Sequence, residues 1–319
     1  MVIGYYVHHV GAGHRTRARA LSRALRERGH QVVPIGSDLG PQSGLHLPRD
    51  DEEHHAPWRD PDAGGALHWA PLGQNGFSAR MAQVARWVAG THPDVVVVDV
   101  SVEVTLAMRL LGVPTVVVGQ PGDRSDSAHQ LGYQCATAIV APWPRVAKLC
   151  PGLDQFGSKV HHVGGVSSLH RRGERGTVGV VLSGRGGWEH PFVDDLRRHT
   201  PNMRWAEVGG KHWVEDVGTV LSTARVVVTH AGQNAIADVA CCDVPTIVVP
   251  QQRPHAEQQF MAGELDRLGL AVPVHRAVPA TPWAHHVSEA VGRCSRWSTW
   301  RTEGSAARAA AVIEGAAHG

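Results

Sequence analysis

The chain has 319 residues, about twice the usual size of one domain, so we expect two domains. Its 31 lysines and arginines against 29 acidic residues leave a net charge of +2, which argues against a nucleic-acid binder with a concentrated basic surface. With 42% hydrophobic and 19% charged residues, the chain can fill ordinary cores, which excludes wholesale disorder. No apolar run reaches the roughly 20 residues that cross a bilayer, so we expect at most peripheral membrane contact.

The start of the chain and its cysteines favour a cytoplasmic protein. Residues 1–7 lack the basic lead-in and the apolar core of a secretory signal. The five cysteines are odd in number and form no CxxC pair, which is typical of reduced thiols in a reducing compartment. The oligomeric state does not follow from the sequence.

Strands and helices alternate in the first half of the chain. A strand at residues 2–7 ends in a glycine turn, a helix with one apolar side follows over residues 14–28, and a strand spans residues 31–35. Residues 37–77 are rich in Pro, Gly, His and Asp and predict loop that can include short helices. The pattern then continues with helices at residues 79–89 and 102–111 and with strands at residues 94–100, 115–119 and 137–140. The unbroken valines of residues 95–98 indicate a strand buried on both faces, as parallel sheets require.

A composition shift at residues 163–176, where Gly, Ser, Arg and His dominate, predicts a linker. Beyond it the alternation begins again, with strands at 178–182, 204–208, 225–229 and 245–249 and helices from 189 and at 215–221, 232–241 and 256–268. Such units build doubly wound parallel sheets, whose ligands bind at the carboxyl ends of the strands. The sequence therefore predicts an α/β protein with two Rossmann-like domains, residues 1–165 and residues 166–319, the second ending in a C-terminal helix.

The sharpest signal follows the valine strand at residues 225–229. Gly232 lets the backbone approach a ligand, and the helix that starts there offers unpaired N–H groups that suit a diphosphate. His230 would add a donor to the phosphates, and Asp238, two turns into the helix, would accept from ribose hydroxyls. The alternative is an ordinary strand–helix turn with a capping residue.

A second polar segment follows the strand at residues 245–249 and opens the next helix. Glu257 and Gln258 are adjacent polar side chains that can bind several sugar hydroxyls at once. Such pairing matters because each buried hydroxyl left without a partner costs on the order of 1–3 kcal/mol. Taken alone, the segment is equally typical of a polar helix start.

Together these segments resemble the donor-binding half of GT-B glycosyltransferases, both the nucleotide-diphospho-sugar enzymes of the small-molecule type and the MurG-like N-acetylglucosaminyltransferases. The matching positions, in chain order, are His230, Gly232, Asn234, Asp238, Glu257 and Gln258, and Gln233 lies within the same motif. The resemblance implies that these residues bind the donor. It also places a glycine loop facing the diphosphate at Gly184, Arg185 and Gly186, and a base pocket at Trp213 and Val214. The family's Pro-Gln after that tryptophan is absent here.

The N-terminal glycine turn, with Gly11, Gly13 and His14, resembles the first glycine loop of the same enzymes, on the acceptor side. The resemblance implies that His14 is the catalytic base and that Asp99 orients it, because a neutral imidazole can remove a hydroxyl proton near neutral pH. Gln120, after the strand at residues 115–119, is a further acceptor-side candidate. The alternatives are that His14 caps a helix and that Asp99 starts the next one.

The helix at residues 14–28 is rich in arginine. Its members are Arg15, Arg17, Arg19, Arg23, Arg26 and Arg28. A basic face of this kind could meet an anionic acceptor or lipid head groups. We favour the interpretation that these side chains are solvated or paired.

The resemblance implies the GT-B architecture, in which two Rossmann-like domains border an interdomain cleft, and a hexosyltransferase type of activity. A sugar would move from a nucleoside diphosphate held by residues 166–319 to a hydroxyl or amine of a small-molecule or lipid-linked acceptor held by residues 1–165. The base of the nucleotide is uracil or thymine, and we favour uracil, that is, UDP. Residues 99–103 lack the glycine-rich acceptor loop of MurG-like enzymes, which argues against a polyprenyl-diphosphate acceptor.

No cofactor beyond the nucleotide sugar and no catalytic metal is expected. The sequence has no HExxH motif, and the adjacent histidine pairs, such as His8-His9, would point to opposite faces of a strand. Two other functions stay open. A nucleotide-sugar 2-epimerase of the same fold would act without an acceptor, and a non-catalytic subunit would bind the donor without transferring it.

Overall fold

The computed structural model describes residues 1–9, 12–40, 44–51, 58–169, 173–184, 186–188, 192–214, 216–275, 277–278 and 281–318. The chain divides into two compact units. The first unit consists of Met1–Pro142, Cys150–Val163 and Ala306–Gly319, and the second consists of Trp143–Leu149 and Gly164–Ser305. The sequence-predicted domain ranges, and the binding roles given to them, stay predictions.

The first unit contains a parallel sheet of seven strands. They are β1 (Val2–Val7), β2 (Gln31–Gly36), β3 (Leu45–His46), β4 (Val95–Asp99), β5 (Thr115–Val118), β6 (Ala138–Ala141) and β7 (Val160–His162). Their order across the sheet is β3-β2-β1-β4-β5-β6-β7, so the winding reverses between β1 and β4. The four valines of β4 are completely buried, as the unbroken valine run predicts. Ligands of such sheets bind at this reversal, outside the carboxyl ends of the strands.

Helices α1 (Ala12–Glu27), α2 (Asn75–Thr91), α3 (Val102–Leu110) and α4 (Ser127–Cys135) connect these strands. Two of them start at residues with strong capping side chains. The Ser101 hydroxyl accepts from the Val104 N–H at the start of α3, and the Asp126 carboxylate accepts from the His129 N–H at the start of α4. These caps fix where α3 and α4 begin next to the carboxyl edge of the sheet.

The second unit contains a parallel sheet of five strands. They are β8 (Val178–Leu182), β9 (Arg204–Val208), β10 (Val226–Thr229), β11 (Thr246–Val248) and β12 (Val272–Pro273), in the order β12-β11-β10-β8-β9. The helices are α5 (Val193–His199), α6 (Val217–Thr223), α7 (Gln233–Cys241), α8 (Glu257–Arg267) and α9 (Trp283–Gly292). Trp283 on α9 is fully buried against Phe192 in the core of this unit. The C-terminal helix α10 (Ser305–His318) belongs to the first unit from residue 306 onward.

Two parallel sheets whose strands are connected by helices confirm the predicted α/β fold class. The prediction for residues 37–77 misses the short strand β3 inside this segment and the start of the long helix α2 at its end. A strand of two residues is too short to show a period, and α2 is capped by the unusual Gln74, whose side chain accepts from the Gly76 N–H. The predicted helix start at residue 189 lies outside the described residues. Among the described helices, none has both the length and the apolar character that crossing a membrane requires.

Candidate active site

The first unit brings His14 and Asp99 together. Asp99 is the last residue of β4, and it pairs in register with Val7 at the end of β1. Because α1 follows β1, its first turn begins beside Asp99. The His14 Nδ1 atom lies 2.8 Å from Asp99 Oδ1, with the carboxylate fully buried and the imidazole 15% exposed. The structure therefore contains the predicted pair, and its role as a catalytic dyad stays a prediction.

Asp99 has two further partners. Arg17, one turn after His14 on α1, donates to both carboxylate oxygens, with Nε 2.9 Å from Oδ2 and Nη2 2.5 Å from Oδ1. The Tyr5 hydroxyl lies 3.3 Å from Oδ2. Arg17 is buried, so it is one of the paired arginines of its helix. The sequence analysis did not single it out, although its spacing of three residues from His14 is a usable signal.

The hydrogen bonds around Asp99 define the protonation of the site. Burial raises the pKa of the Asp99 carboxyl, but Arg17 and His14 outweigh burial and hold that pKa well below its usual range. The ionised carboxylate accepts, so His14 Nδ1 carries the hydrogen that it donates to Asp99. The Nε2 atom of His14 then has the lone pair, which can remove a proton from a hydroxyl.

The residue after Asp99 has a strained backbone. Val100 has φ +69°, in the left-handed region that β-branched residues avoid. Such a conformation costs of the order of 1–3 kcal/mol and persists where the surroundings enforce it. Here the buried strand β4 lies on one side and the Ser101 cap of α3 lies on the other. The strain is thus located between the carboxylate and the wall of a cavity.

The cavity, of about 320 Å³, opens at the carboxyl edge of the first sheet, beside the reversal between β1 and β4. His8 and Val100 line it, and the His8 ring packs edge-on against the His14 ring. Burial, together with His14 and His9, lowers the pKa of His8 to about 3, so this ring is uncharged. Gln120, predicted on the acceptor side, lies on the wall as well.

The structure describes one of the two glycines that were predicted on the acceptor side. Gly13 lies in the first turn of α1, one residue before His14. Gly11 lies outside the described residues. The segment that the sequence left uninterpreted contributes Asp50, His68 and Trp69 to the cavity wall. No motif marks these three residues, because the segment has no periodicity and their placement depends on long-range packing.

In the second unit, His230 directly follows β10 and its ring is held by its own turn. The Gly232 N–H donates to His230 Nδ1 over 3.0 Å, so Nε2 carries the hydrogen and can donate to a ligand. A side chain at residue 232 would place a Cβ atom 2.5 Å from Cε1 of this ring, which explains the need for glycine there. Burial, followed by Arg253, lowers the pKa of His230 to about 4 and keeps the ring neutral.

The glycine loop after β8 lies next to this imidazole. β8 and β10 are neighbours in register, and a Cβ atom built on Gly184 would lie 3.5 Å from His230 Nε2. Gly186 has open space around its Cα, and Gly187 has φ +72°. Arg185 lies outside the described residues. The described glycines of this loop therefore leave room beside the donating nitrogen of His230.

The start of α7 completes this side of the site. Gly232 is its N-cap and makes no side-chain capping bond, and Gln233 and Asn234 form its first turn. Asp238, further along α7, accepts from the Ser167 hydroxyl over 2.6 Å. Burial raises the pKa of Asp238 to about 6, and the Ser167 hydrogen bond opposes the shift. The first-turn N–H groups of α7 suit an anion.

The segment after β11 holds the glycine loop in place. The Gln258 side chain accepts from the Gln251 N–H over 2.9 Å, and Gln251 Nε2 approaches the Gly187 carbonyl oxygen at 3.5 Å. Arg253 Nη2 donates to Gln251 Oε1 over 2.8 Å, which tethers a cation near His230. Gln258 is thus buried in a supporting role, and the sequence analysis missed Gln251 and Arg253. Their position directly after a buried strand was the available signal.

Three of the residues predicted to bind the nucleotide-sugar donor lie nearer the surface. Trp213 is 61% exposed, which leaves its ring accessible for stacking on a base. Val214 follows it in the same irregular segment after β9. Glu257 is the first residue of α8, next to the buried Gln258.

One described cluster in the first unit has metal-ligating side chains within reach of one another, namely His9, Asp50 and Asp51. Both carboxylates already have cationic partners. Arg80 Nη1 lies 3.1 Å from Asp50 Oδ2, and Arg49 Nη2 lies 2.8 Å from Asp51 Oδ2. These guanidinium groups compete with a metal ion for the same oxygens.

Residues 176–278 match the family model of the glycosyltransferase family 28 C-terminal domain. The structure is similar over 98% of this chain and 99% of the other to MurG of Acinetobacter baumannii, with TM-score 0.68 and 14% identity. It is also similar to CalG4, the calicheamicin glycosyltransferase, with TM-score 0.65, 18% identity and coverage of 99% and 97%, respectively. The glycotransferase of kitacinnamycin gives TM-score 0.65, 19% identity and coverage of 99% and 98%.

At these identities, the likeness of the solved structures shows the fold. No curated protein matches the chain in sequence. The chain has the GT-B fold of these solved structures, and its residues 176–278 match the glycosyltransferase family 28 C-terminal domain.

Proposed function

We propose that this protein is a glycosyltransferase that moves a sugar from a nucleoside diphosphate, UDP, to an acceptor hydroxyl or amine. The observation that carries the proposal is the 2.8 Å contact between His14 and Asp99 at the carboxyl edge of the first sheet. The family 28 match over residues 176–278 supports the same activity.

The dyad would activate the acceptor. His14 Nε2 takes the proton of the acceptor hydroxyl as its oxygen bonds to the anomeric carbon of the sugar. The bond between that carbon and the phosphate oxygen breaks, and its electron pair leaves with UDP. Asp99, which stays ionised, orients the ring and stabilises the imidazolium that forms.

The donor would bind to the second unit. His230 Nε2 and the first-turn N–H groups of α7 face developing negative charge on the leaving diphosphate, and Gly184 leaves space for it. Arg253 adds a positive charge near His230. We propose that the reaction needs no metal, because these donors already provide the stabilisation that a cation would supply.

The first experiment replaces the proposed base. His14→Ala should lower transfer about 10²–10⁴-fold, the usual contribution of general base catalysis, and leave donor affinity unchanged. Titration calorimetry with UDP-sugars and TDP-sugars measures that affinity in both proteins. Unchanged turnover in the variant would remove His14 from the mechanism, and absence of nucleotide-sugar binding in the parent protein would overturn the donor assignment.

The cavity in the first unit favours transfer over the two alternatives. A 2-epimerase needs no second substrate, whereas this cavity lies beside the dyad, through His8 and Val100. Turnover of UDP-N-acetylglucosamine without any acceptor would favour the epimerase. Donor binding with neither transfer nor hydrolysis would favour the non-catalytic subunit.

A further inference from the structure

A second cavity of the first unit lies on the other face of its sheet. The side chains of β1 alternate between the two faces, so Tyr6 lines the cavity described above, whereas Tyr5 and Val7 line this one. The second cavity, of about 830 Å³, lies between α1 and β2. The two cavities share none of their described lining residues. None of the residues proposed above to act in catalysis or to bind the donor lines the second cavity.

One wall of this cavity is a face of α1 that carries three arginines. Arg15, Arg19 and Arg26 are spaced by four and seven residues, which places them on one side of the helix. Along the helix axis they extend over about 16 Å, since each residue adds about 1.5 Å. Two small buried residues complete this wall. We call the cavity the α1 groove, after the wall formed by Arg15, Ala18, Arg19, Ser22 and Arg26.

The charge of this wall is not neutralised by the part of the chain that the structure describes. Arg15 Nη1 approaches the Asp38 carbonyl oxygen at 3.4 Å, while the Asp38 carboxylate lies 3.4 Å from Arg49. Arg26 Nη2 donates to the Val32 carbonyl oxygen over 3.1 Å. Both of these acceptors are uncharged. Among the described residues that line the groove, none is an aspartate or a glutamate.

A carboxylate near one end of the groove has cations of its own. His30 lines the groove, and its Nε2 atom lies 2.6 Å from Glu314 Oε1. Arg28 Nε donates to the same oxygen over 2.6 Å. Glu314 is therefore engaged by these two side chains, and it leaves the three arginines of the wall to a ligand.

The floor of the groove is aliphatic. Val32 is buried in it, and Val33, Pro34 and Leu39 are half-buried. This part of β2 is a sheet edge, because β3 pairs only with the last two residues of β2. Pro34 has no N–H to donate, and the Val32 carbonyl already accepts from Arg26, so the edge does not suit an added peptide strand. The groove therefore suits a small molecule with an apolar part.

The cationic wall defines the other part of such a ligand. Arg15 and Arg19 lie one helical turn apart, so both guanidinium groups can reach one anionic group. A guanidinium matches the oxygens of a phosphate in bidentate geometry, and a phosphate monoester carries roughly −1.5 to −2 charges at pH 7. A volume of about 830 Å³ exceeds what a bare phosphate fills and is typical of sites for organic ligands.

We infer that the α1 groove binds a soluble phosphate monoester with an aliphatic organic part. The phosphate contacts Arg15 and Arg19, and the organic part lies on the floor formed by β2. The inference does not depend on the proposed function, because the groove and the proposed catalytic and donor sites use different residues.

Titration calorimetry with n-hexyl phosphate at low ionic strength tests the site. The comparison ligands are inorganic phosphate, which lacks the organic part, and hexanoate, which carries a single negative charge. We expect hexyl phosphate to bind about tenfold tighter than inorganic phosphate, since about two buried methylene groups contribute that factor. It should bind about tenfold tighter than hexanoate, because the loss of one charge-assisted hydrogen bond has a similar effect. Equal affinity for either comparison ligand, or no binding of hexyl phosphate, overturns the inference.

Two substitutions change the charge of the groove at exposed positions. Arg19→Gln removes a cation, and Gln31→Glu adds a carboxylate to the lining with almost the same shape. Each should raise the Kd for hexyl phosphate about tenfold. Arg23→Gln and Gln134→Glu are the matched controls, because they make the same charge changes at exposed positions outside the groove and should leave Kd unchanged.

The variants also decide where a bound phosphate lies. Unchanged affinity in Arg19→Gln or in Gln31→Glu overturns the inference, and so does an equal loss in the two controls, which would indicate attraction by overall charge. Because Gln31→Glu keeps the size of the side chain, it decides the question even if Arg19→Gln does not fold. Binding that is lost in His230→Ala and kept in Arg19→Gln would assign the phosphate to the donor site and overturn the inference.

A lipid surface is a different source of phosphate esters. Sedimentation with phosphatidylglycerol vesicles tests it in the parent protein and in Arg19→Gln. Vesicle binding that depends on Arg19, without binding of hexyl phosphate, would overturn the soluble ligand. Binding of hexyl phosphate with no sedimentation supports it. No nucleotide sugar enters these experiments, so a negative result leaves the proposed function unaffected.

Discussion

Gly232→Ala tests the donor site through one added methyl group. The backbone at residue 232 has φ −76°, which alanine adopts without strain. The new Cβ atom, however, would lie 2.5 Å from Cε1 and 2.6 Å from Nδ1 of His230, and ordinary contacts of this kind are near 3.4 Å or longer. The ring must therefore move by roughly 1 Å, and it loses the hydrogen bond that fixes its orientation.

The expected loss follows from these contacts. A displaced imidazole no longer donates well to a phosphate, and hydrogen bonds to charged groups contribute about 1.5–3 kcal/mol. We therefore expect donor affinity to fall by about 2 kcal/mol, which is roughly 30-fold in Kd. The melting temperature should change little, because replacing glycine in a compatible conformation stabilises by about 0.4–1 kcal/mol and offsets part of the clash.

Calorimetric titration with UDP and a UDP-sugar measures the effect in a double-mutant cycle. In the His230→Ala background the added methyl group has no ring to displace, so Gly232→Ala should have no further effect there. Gly263→Ala, on α8 with open space around its Cα, is the control and should leave affinity unchanged. Wild-type affinity in Gly232→Ala, or an equal loss without the imidazole, would refute this reasoning.

Two further predictions concern single residues. Because the pKa of Asp238 is raised to about 6 on folding, the native state binds more protons than the unfolded chain between pH 4 and 6, and stability falls as pH rises through that range. Asp238→Asn should remove this dependence of stability on pH. Urea unfolding should therefore show that the variant gains more free energy of unfolding over the parent at pH 7.5 than at pH 4.5. An equal gain at both pH values would contradict the prediction. Val100→Gly should release backbone strain, raising stability by up to about 1 kcal/mol, and should lower kcat because Asp99 is held less firmly. Thermal unfolding and steady-state rates check this, and a variant with lower stability and unchanged kcat would count against it.

The sequence was sufficient for the fold and for the residues that sit in recognisable turns. Valine runs and helical periods located most strands and helices, and the glycine turns located His14 and His230. Arg17 could not be separated from the other arginines of α1, because exposed and buried arginines look alike until the neighbouring strand is known. The positions of Trp69 and of Gln251, whose side chain approaches a backbone carbonyl oxygen, depend on contacts between distant segments. No local sequence pattern records such contacts.

The assembly of the first unit from three separate pieces of chain has a consequence for dissection by proteolysis. Glu314 on α10 binds Arg28 and His30, which directly follow α1. Helix α10 therefore stabilises the amino-terminal part of the first unit. A protease cut after residue 305 should therefore loosen the amino-terminal sheet rather than shorten the unit that precedes the cut. No single cleavage releases either of the two compact units intact.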